Sequence, residues 1–193
     1  MAKAKKRTQV ARRNSPPVRP GTARQQDAVE LLKADHRQVE EWFAQFESTR
    51  SPDRKQRLAS QICQALKVHT RIEEEIFYPA FLEATGDEDV HHEAEVEHEG
   101  AKRLIADIEA SKGPDDDYFD ARVTVLSEMI KHHVNEEEKR DGMFAKARRA
   151  DMDLVGLGQE LASRKAELMS NADADAEGSS SRTLALGNAN ARV

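Results

Sequence analysis

Four stretches of the chain repeat apolar residues in steps of three and four, the spacing of helices that each bury one face. The first, from about Asp27 to Glu47, carries Leu32, Val39, Phe43 and Phe46, with Asp27 placed to cap its N-terminus. A turn at Ser48–Asp53 follows, and Pro52 suits a first helical position. The second stretch carries Leu58, Ile62, Leu66 and Ile76 and ends near Ala84, with Pro79 expected to kink or loosen its last turn. Thr85-Gly86-Asp87 breaks the chain. The third stretch, roughly 88–111, carries Val90, Ala94, Ala101, Ile105 and Ile108. Lys112–Asp115 is the next break, and the fourth stretch, from about Asp116, carries Phe119, Val123, Leu126 and Ile130. Short connections make consecutive helices antiparallel, so residues 27–150 are expected to form an all-α, antiparallel up-down four-helix bundle. Leu154, Leu157, Leu161 and Leu168 predict a short extra C-terminal helix over 151–170, packed outside the bundle. Residues 1–26, with Pro16, Pro17, Pro20 and Gly21, and residues 171–193, rich in Asn, Ala, Asp, Ser and Gly, read as disordered termini.

The stripes are interrupted in a regular way. In the second helix the stripe runs Leu58, Ile62, Leu66, His69, Glu73, Ile76; in the fourth it runs Val123, Leu126, Ile130, His133, Glu137. Both contain His-x-x-x-Glu, whose two side chains sit one turn apart on one face. Helix one continues its stripe through His36, between Leu32 and Val39, and helix three through His98, between Ala94 and Ala101. Each helix thus aims one histidine inward. Taken alone, one such histidine is an ordinary core residue, and Glu73-Glu74-Glu75 or Glu136-Glu137-Glu138 is an ordinary solvated face. Height along the bundle ties the set together. His36 and His69 are equidistant from the turn at 52–53, His69 and His98 from 83–84, and His98 and His133 from 115–116. A two-residue error in a turn centre shifts relative height by only about 6 Å. Two carboxylates and four imidazoles at one buried level are best explained by a bound cation, since unpaired buried charge is costly.

Charge changes the picture mainly at the ends. The net charge of −6 hides eight basic residues and no acid in 1–26. With that arm set aside, residues 27–193 carry −14. A basic arm can contact nucleic acid or an acidic partner, but a solvated tail is the favoured reading. Its composition allows a mitochondrial transit peptide, though it shows no clear amphipathic apolar face, and no apolar core of a secretory signal follows it. No run of 18 apolar residues is present to span a membrane. The lone cysteine, Cys63, fits a reducing, cytoplasmic setting and reads as a packed thiol about 9 Å along the axis from His69.

Imidazole with carboxylate suits iron, manganese or zinc rather than a soft-metal thiolate site. Two carboxylates can bridge two ions with the histidines terminal, and six protein ligands leave open positions on two six-coordinate ions for a small molecule. Glu40, four residues after His36, and Glu95, three before His98, are further candidates. A ferritin-like arrangement needs a second Glu-x-x-His, and helix four has Ile130 where the glutamate would stand. His91 is too far from His98 to share a cluster and reads as lining an entrance; His92 and His132 read as exposed. Tyr78 reads as a packing residue, with a hydrogen-bonding role near the site as the alternative.

The combination His36 … His69-x-x-x-Glu73 … His98 … His133-x-x-x-Glu137 resembles the hemerythrin-like, or HHE cation-binding, family over roughly residues 27–150. The strings at 34–37 (ADHR), 69–79 (HTRIEEEIFYP), 97–99 (EHE) and 133–138 (HVNEEE) carry the likeness. The resemblance implies two iron ions, a non-haem di-iron centre, with Glu73 and Glu137 bridging and His36, His69, His98 and His133 terminal. It also marks departures. Oxygen-carrying hemerythrins have a histidine four residues before the third-helix histidine, where this chain has Ala94, and an aspartate five residues after the fourth-helix histidine, where it has Glu138. The set with fewer histidines is similar to bacterial hemerythrin-like proteins linked to peroxide, nitric oxide or iron responses. The expected function is therefore binding or processing of a small oxidant (peroxide, dioxygen or nitric oxide), with catalase-like peroxide disproportionation as the enzymatic form. The alternatives are an iron sensor or iron-binding regulatory protein without turnover, and a bare helical interaction module without metal.

Overall fold

A computed structural model describes residues 26–189, with side chains through Ala172. The expected arm lies outside the described residues except for Gln26. The elements are α1 (Ala28–Ser48), α2 (Pro52–Ile72), a π-helical turn (Glu73–Phe77), α3 (Tyr78–Thr85), α4 (Glu88–Ala110), a 3₁₀ turn (Gly113–Asp115), α5 (Phe119–Glu138), α6 (Met143–Arg149) and α7 (Leu154–Ala189). α2, the π turn and α3 together make one bent rod. With α1, α4 and α5 that rod forms the expected all-α bundle, α1 packing on α2 and α5, and α4 on α2 and α5.

The helix starts follow local chemistry. Asp27 forms a capping box with Glu30. Ser51 accepts from the Arg54 N–H, with Pro52 in the first turn. Gly86 closes α3 at φ 64, where an L side chain is disfavoured. α5 begins at Phe119 rather than near Asp116, because the Asp116 carboxylate accepts from the Tyr118 N–H at 2.8 Å and from Arg122 at 3.0 Å, holding a turn there. The loosening expected at Pro79 falls one turn earlier, where the Tyr78 N–H reaches back five residues to the Glu73 carbonyl. Pro79 has no N–H for the Glu75 carbonyl and its ring crowds that turn, so the backbone widens just before it.

Two apolar clusters fill the bundle. One is built from the C-terminal half of α1, the N-terminal half of α2, and facing parts of α4 and α5, with Phe43, Phe46, Ile62, Leu66, Ile105, Phe119 and Leu126 buried. Pairing opposite halves of consecutive helices is what an antiparallel arrangement requires. The other gathers Val29 and Leu32 of α1 with Ile72, Phe77, Phe81, Ala94, Met143, Phe144 and Leu161. α6 was not anticipated as a separate helix. Its seven residues are too few to show a period, yet Phe144 and Ala147 are fully buried. α7 packs outside α1 and α2 as expected, burying Leu161. Its backbone is helical to Ala189, past the expected end at 170 and through most of the segment expected to lack structure, where alanines favour helix.

Candidate metal centre

His36, His69, His98, His133, Glu73 and Glu137 are all buried and lie between the two apolar clusters. They form two histidine pairs. The Nε2 atoms of His36 and His69 are 3.0 Å apart, and those of His98 and His133 are 3.2 Å apart. Two donors each ~2.1 Å from one ion and at right angles stand about 3 Å apart, so each pair has the spacing of neighbouring ligands. The carboxylates sit between the pairs. Glu73 Oε2 is 3.2 Å from His69 Nε2 and 3.5 Å from His98 Nε2. Glu137 Oε2 is 3.4 Å from His36 Nε2 and 3.7 Å from His133 Nε2. The π turn begins at Glu73 and so sets where this carboxylate enters the layer.

A closed ring of carboxylates orients the imidazoles. Each Nδ1 donates to a residue on the neighbouring rod: His69 to Asp35 (3.5 Å), His98 to Glu74 (3.1 Å), His133 to Glu97 (2.7 Å) and His36 to Glu138 (2.9 Å). With Nδ1 donating to its carboxylate, each imidazole can turn an Nε2 lone pair inward once any proton there is displaced, the tautomer that metal ligation needs. The ring is itself held from outside. Lys165 binds Asp35, Lys102 binds Glu74 at 2.8 Å, His132 Nε2 lies 3.2 Å from Glu97, and Lys33 and Arg37 reach Glu138. The sequence reading missed this ring because its members lie in acidic runs that look solvated. The available signal was position: Asp35, Glu74, Glu97 and Glu138 each adjoin an inward residue in the chain.

The donor set fits a cation. Both oxygens of Glu73, and Oε2 of Glu137, are buried without a hydrogen-bond partner, and such orphaned acceptors are costly. Burial pushes the Glu137 carboxyl up, to about 8, and the Glu73 charge adds to the rise. Burial also opposes ionisation of Glu73, but His69, His98 and His133 outweigh it and hold that carboxyl at about 2. A cation bound between the two carboxylates would offset the repulsion that keeps Glu137 from ionising beside Glu73.

Tyr78 has a larger part than packing. Its hydroxyl lies 3.1 Å from His98 Nε2 and donates to Glu137 Oε1 at 3.2 Å, with its ring stacked on His98. Phe144 of α6 stacks on His36 and closes the other side. Gly142 makes that possible, since a Cβ there would lie 2.2 Å from the Glu136 carbonyl oxygen. Glu40 instead pairs with Arg37 on the outside, and Glu95 faces His91 at 3.7 Å rather than the layer. His92 and His132 are exposed as expected, and His91 is half-buried against the Tyr78 ring. Cys63 is a packed thiol whose pKa burial pushes up to about 12. A cleft of about 160 Å³, bordered by Ala94, Glu97, His133, Glu137 and Met143, leads to the layer between α4, α5 and α6.

A family model for the hemerythrin HHE cation binding domain matches residues 27–145. The chain belongs to the hemerythrin HHE cation-binding family. The matched span holds all six inward residues and the whole carboxylate ring. A solved hemerythrin HHE cation binding domain-containing protein, the Rv2633c homolog from Mycobacterium kansasii, superposes with a TM-score of 0.63 at 23% identity, covering 76% of this chain and 89% of that one, and shows the shared fold. A protein described as a DNA nickase from a Nostoc species is 30% identical over 109 residues, 56% of this chain. The hemerythrin-like chain spans only 30% of that relative's length. No described helix is long and apolar enough to cross a membrane.

Proposed function

We propose that the buried layer holds two iron ions, with His36 and His69 on one, His98 and His133 on the other and Glu73 and Glu137 bridging, and that this centre binds or processes a small oxidant. The observation that carries the proposal is the placement of each carboxylate between the two histidine pairs, with three of their four oxygens unpartnered. A one-ion site would leave one pair without an occupant. Bound iron would supply redox change and open coordination positions. The chain's own residues do the rest. The ring of carboxylates fixes the imidazoles, and Phe77, Phe144 and Met143 keep bulk water from one side. Tyr78 keeps its proton, because burial and the charges of Glu73 and Glu137 push its pKa well above the ordinary value, so its hydroxyl stays a donor beside the layer. The 160 Å³ cleft, bordered by Ala94, admits peroxide, dioxygen or nitric oxide but no large substrate.

Catalase-like disproportionation of peroxide is the enzymatic form of this reading; an iron sensor without turnover uses the same residues. Peroxide challenge of the iron-loaded chain separates them. Oxygen evolution with a change in the near-ultraviolet absorption of the iron supports the first. Iron removal that melts helices in a chain with no turnover supports the second, and a chain that retains no metal refutes both. The buried single cysteine supports a cytoplasmic setting and a role in oxidative stress fits the ligand class. The acidic body, −14 over residues 27–193, disfavours nucleic-acid contact by the bundle itself, so the activity in the Nostoc relative's name is not carried over to it.

A further inference from the structure

Outside the buried layer, α4 carries a second set of ligand-type side chains. One donor atom from each of His91, His92 and Glu95 lies within 4.8 Å of the others. Helix geometry explains the convergence. Successive residues turn about 100°, so Glu95 stands roughly 40° round from His91 and between it and His92, one turn further along. The three donor-bearing side chains therefore leave the helix within an arc of about 100° and one turn of one another. Adjacent histidines without such a third residue would diverge.

A second observation points to an occupant. Nδ1 of His91 is buried and has no hydrogen-bond partner. The nearest carboxylate oxygen, Glu95 Oε2, is 3.7 Å away, too far for a hydrogen bond. It is close to the ~3.4 Å that separates two donors sharing one tetrahedral ion with bonds of about 2.1 Å. The ring of His91 stands edge-on to that of Tyr78, with centroids 5.9 Å apart. His92 and Glu95 are exposed and open to an arriving ion.

We propose that His91, His92 and Glu95 form a separate, mononuclear and exchangeable cation site that takes a first-row divalent ion of the Ni²⁺, Cu²⁺ or Zn²⁺ kind. Two imidazoles and one carboxylate select such ions over Mg²⁺ or Ca²⁺, which prefer oxygen donors. Water completes the shell on the exposed side. A cation here is one tyrosine ring from the buried layer, because the Tyr78 hydroxyl contacts both His98 and Glu137. The proposal rests on residues 91–95 alone and holds whichever ions fill the layer.

The test is calorimetric titration of Ni²⁺ into the full chain, carrying its buried metal. One additional Ni²⁺ per chain is expected, and the Cu²⁺ form should show nitrogen couplings by electron paramagnetic resonance. His92→Ala and Glu95→Gln, both at exposed positions, should each weaken Ni²⁺ binding at least tenfold, while iron content and helicity stay at the parent level. Excess Mg²⁺ should not compete. No uptake of Ni²⁺ beyond the buried ions, or unchanged affinity in both variants, overturns the proposal.

Discussion

The two halves of the bundle, on either side of the histidine layer, are held together by different means. Below the layer, four long helices meet through their own stripes, and Phe43, Ile62, Ile105 and Leu126 fill the space. Above it, the core is assembled from short or irregular pieces: the start of α1, the π turn, α3, α6 and one face of α7. The lower half is stabilised by apolar burial that needs nothing else. The upper half meets the layer of six polar side chains, in which three of the four carboxylate oxygens lack hydrogen-bond partners. The difference leads us to expect that a bound cation stabilises the upper core more than the lower one.

The strongest way to break this comparison is to remove the metal. Hydrogen exchange at Phe77, Phe81, Phe144 and Leu161 should accelerate by about 100-fold, equivalent to ~2.7 kcal/mol of lost linkage, while Phe43, Ile62 and Leu126 keep their protection. Uniform acceleration in both halves would erase the distinction. Truncation below the layer should do the reverse. Leu126→Ala is expected to cost roughly 2–5 kcal/mol of stability, read by denaturant unfolding of the metal-bound chain, with the number of ions per chain unchanged.

Acidity should act on the layer through its histidines. Burial opposes charge on His69 and His133, but the carboxylates around them outweigh it and raise them to about 10 and about 9. Bound metal must displace those protons. Metal loading near neutral pH should therefore release protons, and affinity should rise with pH up to about 9–10; a pH-independent affinity would contradict the assignment. The smallest expected effect belongs to the carboxylate ring. Glu97→Gln should lower metal affinity about 10- to 100-fold in a chelator competition, because His133 loses its charged partner. The unfolding midpoint of the metal-free variant should stay close to the parent's.

The same division governs what the sequence made legible. The lower half and the six inward residues were readable because each lies on a long stripe, and a polar residue that continues such a stripe stands out. The caps at Asp27 and the break at Gly86 were readable from local rules. The π turn was not, since a widened turn differs from a kink only in which carbonyl the Tyr78 N–H finds. α6 is too short to show a period, and its docking depends on the close approach at Gly142. Tyr78 was legible only as the weaker of two readings, and the ring of Asp35, Glu74, Glu97 and Glu138 was hidden for another reason. Nothing in a Glu-rich run says which carboxylate faces a neighbouring helix until the helices are packed.

The most direct measurement of the central claim is metal content of the parent chain and of His69→Ala, determined on the same preparation with correctly folded helices confirmed by circular dichroism. About two irons per parent chain and loss of metal retention in the variant are expected, since His69 is one of two imidazoles proposed on one ion and lies beside Glu73. Full iron stoichiometry in His69→Ala, or a parent chain that retains none, would contradict the assignment of the histidine layer as a di-iron centre.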